Sequence, residues 1–328
     1  MTRRQALRGI GWPAAVLLVL TACSTASAPA PAASELGVAE ASQPSASATG
    51  DAAGAPATIA PLTGRKAEKE TVGRSSVAVA LAGRSPQGLD RADIVYEEFS
   101  DQPRWLALYQ SENATAGPVT AARPMDPMML SVLRPIYAYA GGPAGVLSQV
   151  DGSEVNGVDA GDGSDAFDGS RVSTSALRKE FHRMPAAVPL LSYASETADP
   201  PPGMRRISKI VLKVPGYSTQ TWSYDAKVGG WRLPAVDGLV PANLVVQFVE
   251  YKQIQVKHPN GPFVPSARVF GTGRAVVASQ DQALDGMWRK AGVQALTTYS
   301  TARGVLARMT PGPTVILLAP RSARVTLR

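Results

Sequence analysis

From Ser24 to about Ala60 the chain is rich in Ala, Ser, Pro and Gly, with few charges and no apolar periodicity. Such a segment cannot bury enough apolar surface to offset the entropy lost on ordering. It reads as a disordered tether over residues 23–60, so the folded part must be built from the residues after it. A flexible coil of this length has an r.m.s. reach of about 30–35 Å.

What precedes the tether gives it a purpose. Arg3, Arg4 and Arg8 form a positive start, followed by a short apolar run from Ile10 to Leu20 that is interrupted by Gly11 and Pro13. A bilayer core needs about 20 apolar residues to span, so this run suits a signal-peptide core and not a membrane helix. Leu20-Thr21-Ala22-Cys23 has the form of a lipobox, with small residues before a cysteine that is acylated after cleavage. The expectation is a signal peptide over residues 1–22, lipidation at Cys23, and a protein held by its lipid on the outer face of the cytoplasmic membrane. Thr2-Arg3-Arg4 also suits twin-arginine export, and the two export routes stay open.

Composition narrows the chemistry. Cys23 is the only cysteine, and His182 and His258 are the only histidines. Neither an internal disulfide nor a thiolate or multi-histidine metal site is available. Net charge is +7, and removal of the three leader arginines leaves 7 − 3 = +4. No basic run interleaved with aromatics occurs, so nucleic acid is not an expected partner. No cofactor motif is found. Gly271-Thr272-Gly273 lacks the rest of a nucleotide fingerprint and reads as a strand turn.

Strands are expected at Val77–Leu81, Asp93–Phe99, Arg104–Gln110 and Ile136–Ala140, with a hairpin turn at Ser100–Pro103 and helices at Pro127–Leu133 and Ser175–Phe181. After Pro200-Pro201-Pro202-Gly203 the pattern becomes strand-rich: Ile207–Val214, Thr221–Tyr224, Leu244–Tyr251, Ala267–Phe270, Ala275–Ala278 and Thr314–Leu318. The expected fold class is α+β, with a mixed α/β-sheet domain over 61–203, a mostly β domain over 204–320, and a frayed basic tail over 321–328.

Arg84-Ser85-Pro86-Gln87-Gly88-Leu89 followed by Ala92-Asp93-Ile94-Val95-Tyr96-Glu97 resembles the YerB-like bacterial lipoproteins, a domain of unknown function with an appended C-terminal domain. Arg104, Gly117-Pro118 with Arg123, Ala242 to Gln247, Gly271 to Ala275, Trp288 and Pro311-Gly312 extend the resemblance from Pro61 to Pro320. The resemblance implies Arg-Ser where Thr120-Ala121 stand, His-Asn where Ala186-Ala187 stand, and a histidine near Tyr139. The loss of those polar groups moves weight from catalysis toward binding or structure.

Two charged groupings are candidates. Period-2 geometry puts Asp93, Val95 and Glu97 on one strand face, and Arg104 on the next strand is the expected partner of Glu97. Arg84, Gln87, Asp93, Glu97, Arg104 and Arg123 together form a candidate ligand-binding cluster for an anionic or sugar-like group. The competing readings are an ion-pair network that serves stability alone and a hydrolase acting through Glu97 and Asp93. The acidic stretch of Asp151, Glu154, Asp159, Asp162, Asp165 and Asp168 reads as a solvated loop, with a weak calcium site as its alternative. The expectation is an envelope binding or scaffolding module for a glycan, a peptidoglycan fragment or a protein partner. An envelope hydrolase and a protein adaptor are the alternatives.

Overall fold

A computed structural model describes residues 58–195, 203–256 and 261–328. The expected signal peptide, Cys23 and nearly all of the tether lie outside the described residues. Thr58 to Ala60, at the end of the expected tether, already join the fold: the Ala60 amide donates to the Arg65 carbonyl at 2.8 Å.

The chain is α+β and dominated by strand. Its centre is an 11-stranded mixed sheet, in which ten strands run in the order Thr298–Thr301, Gln282–Lys290, Gly271–Ser279, Asn243–Val249, Thr314–Pro320, Ile94–Phe99, Pro103–Tyr109, Val77–Ala82, Ile136–Tyr139, Asn156–Asp159, and the eleventh, Arg205–Arg206, pairs with Gln282–Lys290 off this path. Strands from both sides of Gly203 therefore share one sheet. The join is parallel: Thr314–Pro320 lies between Asn243–Val249 and Ile94–Phe99, with Ile316 opposite Tyr96 and Leu317 opposite Glu97. Central strands are covered on both faces, so they read as mostly apolar runs instead of alternating ones, as Thr314–Pro320 does from Val315 onward and Asn243–Val249 does apart from Asn243 and Gln247.

Each face of this sheet has its own cover. Ala78, Ile94, Tyr96, Leu106, Ile316 and Leu318 point to a layer that includes the helices Met125–Leu130 and Ala144–Asp151. Val79, Val95, Phe99, Trp105, Leu317 and Ala319 point the other way, toward helix Thr174–Glu180 and a second sheet. That sheet has four strands in the order Gly230–Arg232, Gln220–Asp225, Lys209–Lys213, Arg324–Leu327. Trp222 and Trp231 project from it into the shared core, both fully buried.

The structure revises several expected elements. The basic tail does not fray, because Arg324–Leu327 completes an antiparallel pairing with Lys209–Lys213 and Ile210 faces Leu327. The expected strand Ala267–Phe270 is displaced toward the N-terminus. The strand is Phe263–Ala267, which pairs with Tyr251–Gln255 as a two-stranded hairpin, and Pro265 is tolerated in so small a ribbon. The helix expected at Pro127–Leu133 runs Met125–Leu130, so Pro127 falls in its first turn, where a missing N–H leaves no bond unmade. The helix expected at Ser175–Phe181 runs Thr174–Glu180, one residue earlier, because Ser173 caps it and its Oγ accepts from the Ala176 amide at 3.3 Å. Among the described residues no helix is long and apolar enough to cross a membrane.

Candidate functional site

Two neighbouring glutamates, Glu97 and Glu98, sit in the fully buried strand Ile94–Phe99 and point to opposite faces. Their fates differ. Arg104 stands opposite Glu98 in the antiparallel register, while Trp105 stands opposite Glu97. The expected Glu97–Arg104 pair is therefore not formed. Arg104 instead bonds Glu98 and clasps Asp126 through both carboxylate oxygens, at 2.6 and 3.1 Å. Asp126 also accepts from Tyr137 Oη and from the Arg123 amide at 2.7 Å. Arg104, Glu98 and Asp126 are all buried, so this network closes a core instead of lining a pocket. Burial pushes the Glu98 carboxyl up to about 7, with Arg104 pulling it down and Asp126 pushing it up.

Glu97 faces the second sheet and lines a cleft of about 480 Å³ between the two halves of the chain. Its floor and walls come from the end of the Ile94–Phe99 strand, from Ser100, Asp101, Pro103 and Trp105 in the following hairpin, from Pro215 to Gln220, and from Leu233 and Val236. Local chemistry fixes the parts. Val214-Pro215-Gly216-Tyr217 is a tight turn, closed by the Tyr217 amide on the Val214 carbonyl at 3.1 Å, with Gly216 at φ 82°. Pro followed by a positive-φ Gly is the pairing that such a turn requires. The turn sets the Tyr217 ring edge-to-face on Phe99, with centroids 5.3 Å apart. Across the mouth, Ser85 Oγ accepts from the Asp237 amide at 3.2 Å, tying the Arg84 loop to the far wall.

The hydrogen bonds determine which atoms remain free. Trp222 Nε1, which can only donate, gives its proton to Gln220 Oε1 at 3.1 Å. The Gln220 amide is thereby oriented, and its Nε2 donates to Glu97 Oε1 at 2.7 Å. Glu97 and Tyr217 both line the cleft, and Glu97 Oε2 and Tyr217 Oη are buried without a hydrogen-bond partner among the described residues. Burial pushes the Glu97 carboxyl up to about 8, the Gln220 bond opposing only in part. Burial thus favours the neutral acid, whose Oε1 accepts from Gln220 and whose Oε2 is left without a partner among the described residues. At the rim, burial acts to raise Asp101, but the Arg123 guanidinium outweighs it at 2.9 and 3.0 Å and holds it below the usual carboxylate range.

Of the expected cluster, Arg84 and Glu97 both line the cleft, and Arg123 reaches its rim through Asp101. Asp93 is buried at the other end of its strand, where it accepts from the amides of Gln110 and Ser111 at 2.5 and 2.9 Å, and it does not line the cleft. The expected Glu97/Asp93 acid–base pair therefore has no common space. Gln87 is exposed and pairs through its backbone with Gly117. Arg104 belongs to the opposite face. Tyr217, Gln220, Trp105 and Asp101 were not expected, although the Pro215-Gly216 turn signal stood beside the first of them.

The acidic stretch distributes its side chains locally. Asp159 accepts from the Gly141 and Gly161 amides at 3.0 Å each, Asp168 pairs with Arg171 at 2.7 Å, and Glu154 with Arg134 at 3.4 Å. Among the described residues no three such groups converge as a metal site. Gly271-Thr272-Gly273 opens the strand Gly271–Ser279. Gly273 is where the Trp288 indole crosses to donate to the Phe248 carbonyl at 2.9 Å, leaving no room for a Cβ.

Comparison with known proteins agrees with this architecture. Residues 62–198 match the family described as protein of unknown function (DUF3048), N-terminal domain, and residues 210–316 match its C-terminal domain. The chain is similar to the crystal structure of YerB protein from Bacillus subtilis, at 20% identity and a TM-score of 0.66, over 82% of this chain and 99% of that one. At that identity the likeness concerns the fold. A search of curated proteins finds no match. The cleft lies where the two matched domains meet, and the chain belongs to the YerB-like DUF3048 family with its appended C-terminal domain.

Proposed function

We propose that this protein is a lipid-anchored binding module of the cell envelope, and that its contact site is the cleft around Glu97. Two observations support the location: the leader ending in Leu20-Thr21-Ala22-Cys23 and the Ala/Ser/Pro-rich stretch after it. The observation that carries the binding role is the cleft itself, which places two buried polar atoms without protein partners, Glu97 Oε2 and Tyr217 Oη, among aromatic and aliphatic walls. Buried polar atoms are normally satisfied, and a group of them in one concavity is the signature of a site that a ligand completes. The volume suits a small ligand or a short stretch of polymer. The ligand class is wall glycan or a peptidoglycan fragment, which supplies many hydrogen-bonding groups without requiring a paired charge inside the cleft.

Retention of the full chain, in mild detergent, on purified cell-wall glycan tests this, run beside Tyr217→Ala and an exposed control, Lys227→Ala. Wild type and the control should be retained, and the Tyr217 variant should elute early while melting as a folded protein. Equal retention of all three would remove the cleft from the binding surface. For the anchor, Cys23→Ser should move the protein from the membrane to the soluble envelope fraction, and an unchanged distribution would contradict lipidation there.

A further inference from the structure

The two free atoms in the cleft are not equivalent to a generic polar lining. Gln220 has both ends of its amide committed, Oε1 to Trp222 and Nε2 to Glu97 Oε1. Glu97 Oε1 is thus already an acceptor in use, and the remaining oxygen of a neutral carboxyl carries the proton. A buried O–H without an acceptor costs about 1–3 kcal/mol, and that cost is recovered only when an incoming group accepts from it. The strongest uncharged acceptor that a glycan offers is an amide carbonyl. Such a group brings a methyl with it, and the cleft has apolar surface for one in Leu233, Val236 and Trp105. The Tyr217 ring offers an apolar face for a sugar ring, and its hydroxyl a second polar contact.

We infer that the cleft takes an acetamido-bearing sugar, with Glu97 donating from Oε2 to the acetamido carbonyl oxygen and Tyr217 bonding a ring substituent. This rests on the cleft being the binding site and adds the ligand's chemistry and the protonation state that reads it.

The charged and titratable groups around Glu97 allow that state. From its own strand Glu98 turns to the opposite face, where Arg104 holds it. From the hairpin, Asp101 is paired with Arg123 at 2.9 Å. From the opposing turn comes Tyr217, and from the start of the strand Gln220–Asp225 the uncharged Gln220. Tyr251, whose hydroxyl is bonded to the Phe99 amide and the Leu318 carbonyl, stays neutral. Arg84 is exposed at the mouth, and no cation among the described residues is hydrogen-bonded to Glu97. Burial thus governs the carboxyl and pushes it up to about 8. A ligand that needs the neutral form loses affinity as that proton leaves, by about tenfold between pH 7 and pH 9.

Calorimetric titration of the full chain with chitotetraose, cellotetraose and an N-acetylated alanine dipeptide amide, at pH 7 and pH 9, tests the assignment. The expected result is binding of chitotetraose at pH 7, at least tenfold weaker binding of cellotetraose, and a wild-type dissociation constant about tenfold higher at pH 9. Glu97→Gln keeps an N–H donor but cannot ionise, so its ratio between the two pH values should stay within twofold. Glu97→Met, without a donor, should weaken binding at least tenfold at pH 7. If Glu97→Gln removes binding of a ligand that wild type holds, the carboxylate is the working form and this inference fails while the cleft stands. If the dipeptide binds and chitotetraose does not, the ligand class is wrong. If no probe binds and wall glycan is not retained either, the binding reading itself falls.

Discussion

Replacing Glu97 by Gln should stabilise the protein, and by an amount that grows with pH. In the folded chain burial holds the Glu97 proton until about pH 8, against an ordinary value of 4.5. Between those two values the folded state carries a proton that the unfolded chain has released. Stability therefore falls as pH rises through that window and levels off above about 8. The gap of about 3.5 pK units, at about 1.36 kcal/mol each, amounts to roughly 5 kcal/mol across the window. Gln carries no such dependence, yet it preserves the shape of the side chain and an acceptor for Gln220 Nε2. Buried Glu98, pushed up to about 7, and Asp93, raised by burial, add slopes of the same sign, but these are common to both proteins and cancel in the difference. At about 2–4 °C per kcal/mol for a fold of this size, Glu97→Gln should gain about 10–20 °C over wild type at pH 9. At pH 4.5 and below the two should melt together. Thermal denaturation of both proteins at pH 4.5, 7 and 9 measures this. A difference that stays constant across pH would mean that Glu97 ionises normally in the folded protein, and the reasoning from burial would fail.

Other consequences follow from the same packing. Asp126→Ala removes the carboxylate that holds Arg104 and Tyr137 and leaves a buried guanidinium facing Glu98 alone; denaturant titration should show a loss of about 3–5 kcal/mol, and a loss below 1 would contradict a tightly closed network. Gly273→Ala should push the Trp288 indole off the Phe248 carbonyl, shifting its fluorescence and costing about 1–3 kcal/mol, whereas an unchanged spectrum would contradict the close crossing. Truncation after Ala323 removes the strand Arg324–Leu327 and exposes the Lys209–Lys213 edge; the melting temperature should drop, while a frayed tail would leave it unchanged.

The strands were legible where burial on both faces makes an unbroken apolar run, as at Val77–Ala82 and from Val315 to Pro320 in the strand Thr314–Pro320. The face of Glu97 was legible too, because side chains alternate with a period of 2. Its partner was not. The sequence places Arg104 shortly after both glutamates, and a register shift of one residue decides which of the two it meets. The turn at Ser100 to Gln102 sets that register, with Phe99 opposite Pro103, and so gives Arg104 to Glu98. Gln220 was beyond reach for another reason. It meets Glu97 only because the second sheet packs across the first, a contact between residues 123 apart in sequence that no local pattern encodes. The parallel seating of Thr314–Pro320 beside Ile94–Phe99 is of the same kind. Helix Ala144–Asp151 was missed although its spacing was readable. Val146 and Val150 share its buried face, but Gly141-Gly142-Pro143 reads first as the end of a strand.

A neutral Glu97 that donates inside a ligand-binding cleft is the central claim, and the carboxyl itself reports on it. With glutamate labelled at the side-chain carbonyl carbon, and Glu97→Gln used to assign the signal, NMR titration follows its ionisation with and without chitotetraose. The prediction is a midpoint near 8 for the free protein, moved upward when the sugar is bound, because a ligand that prefers the protonated form must raise its affinity for the proton. A midpoint near 4.5 that does not move with the sugar would contradict both the protonation state and the site.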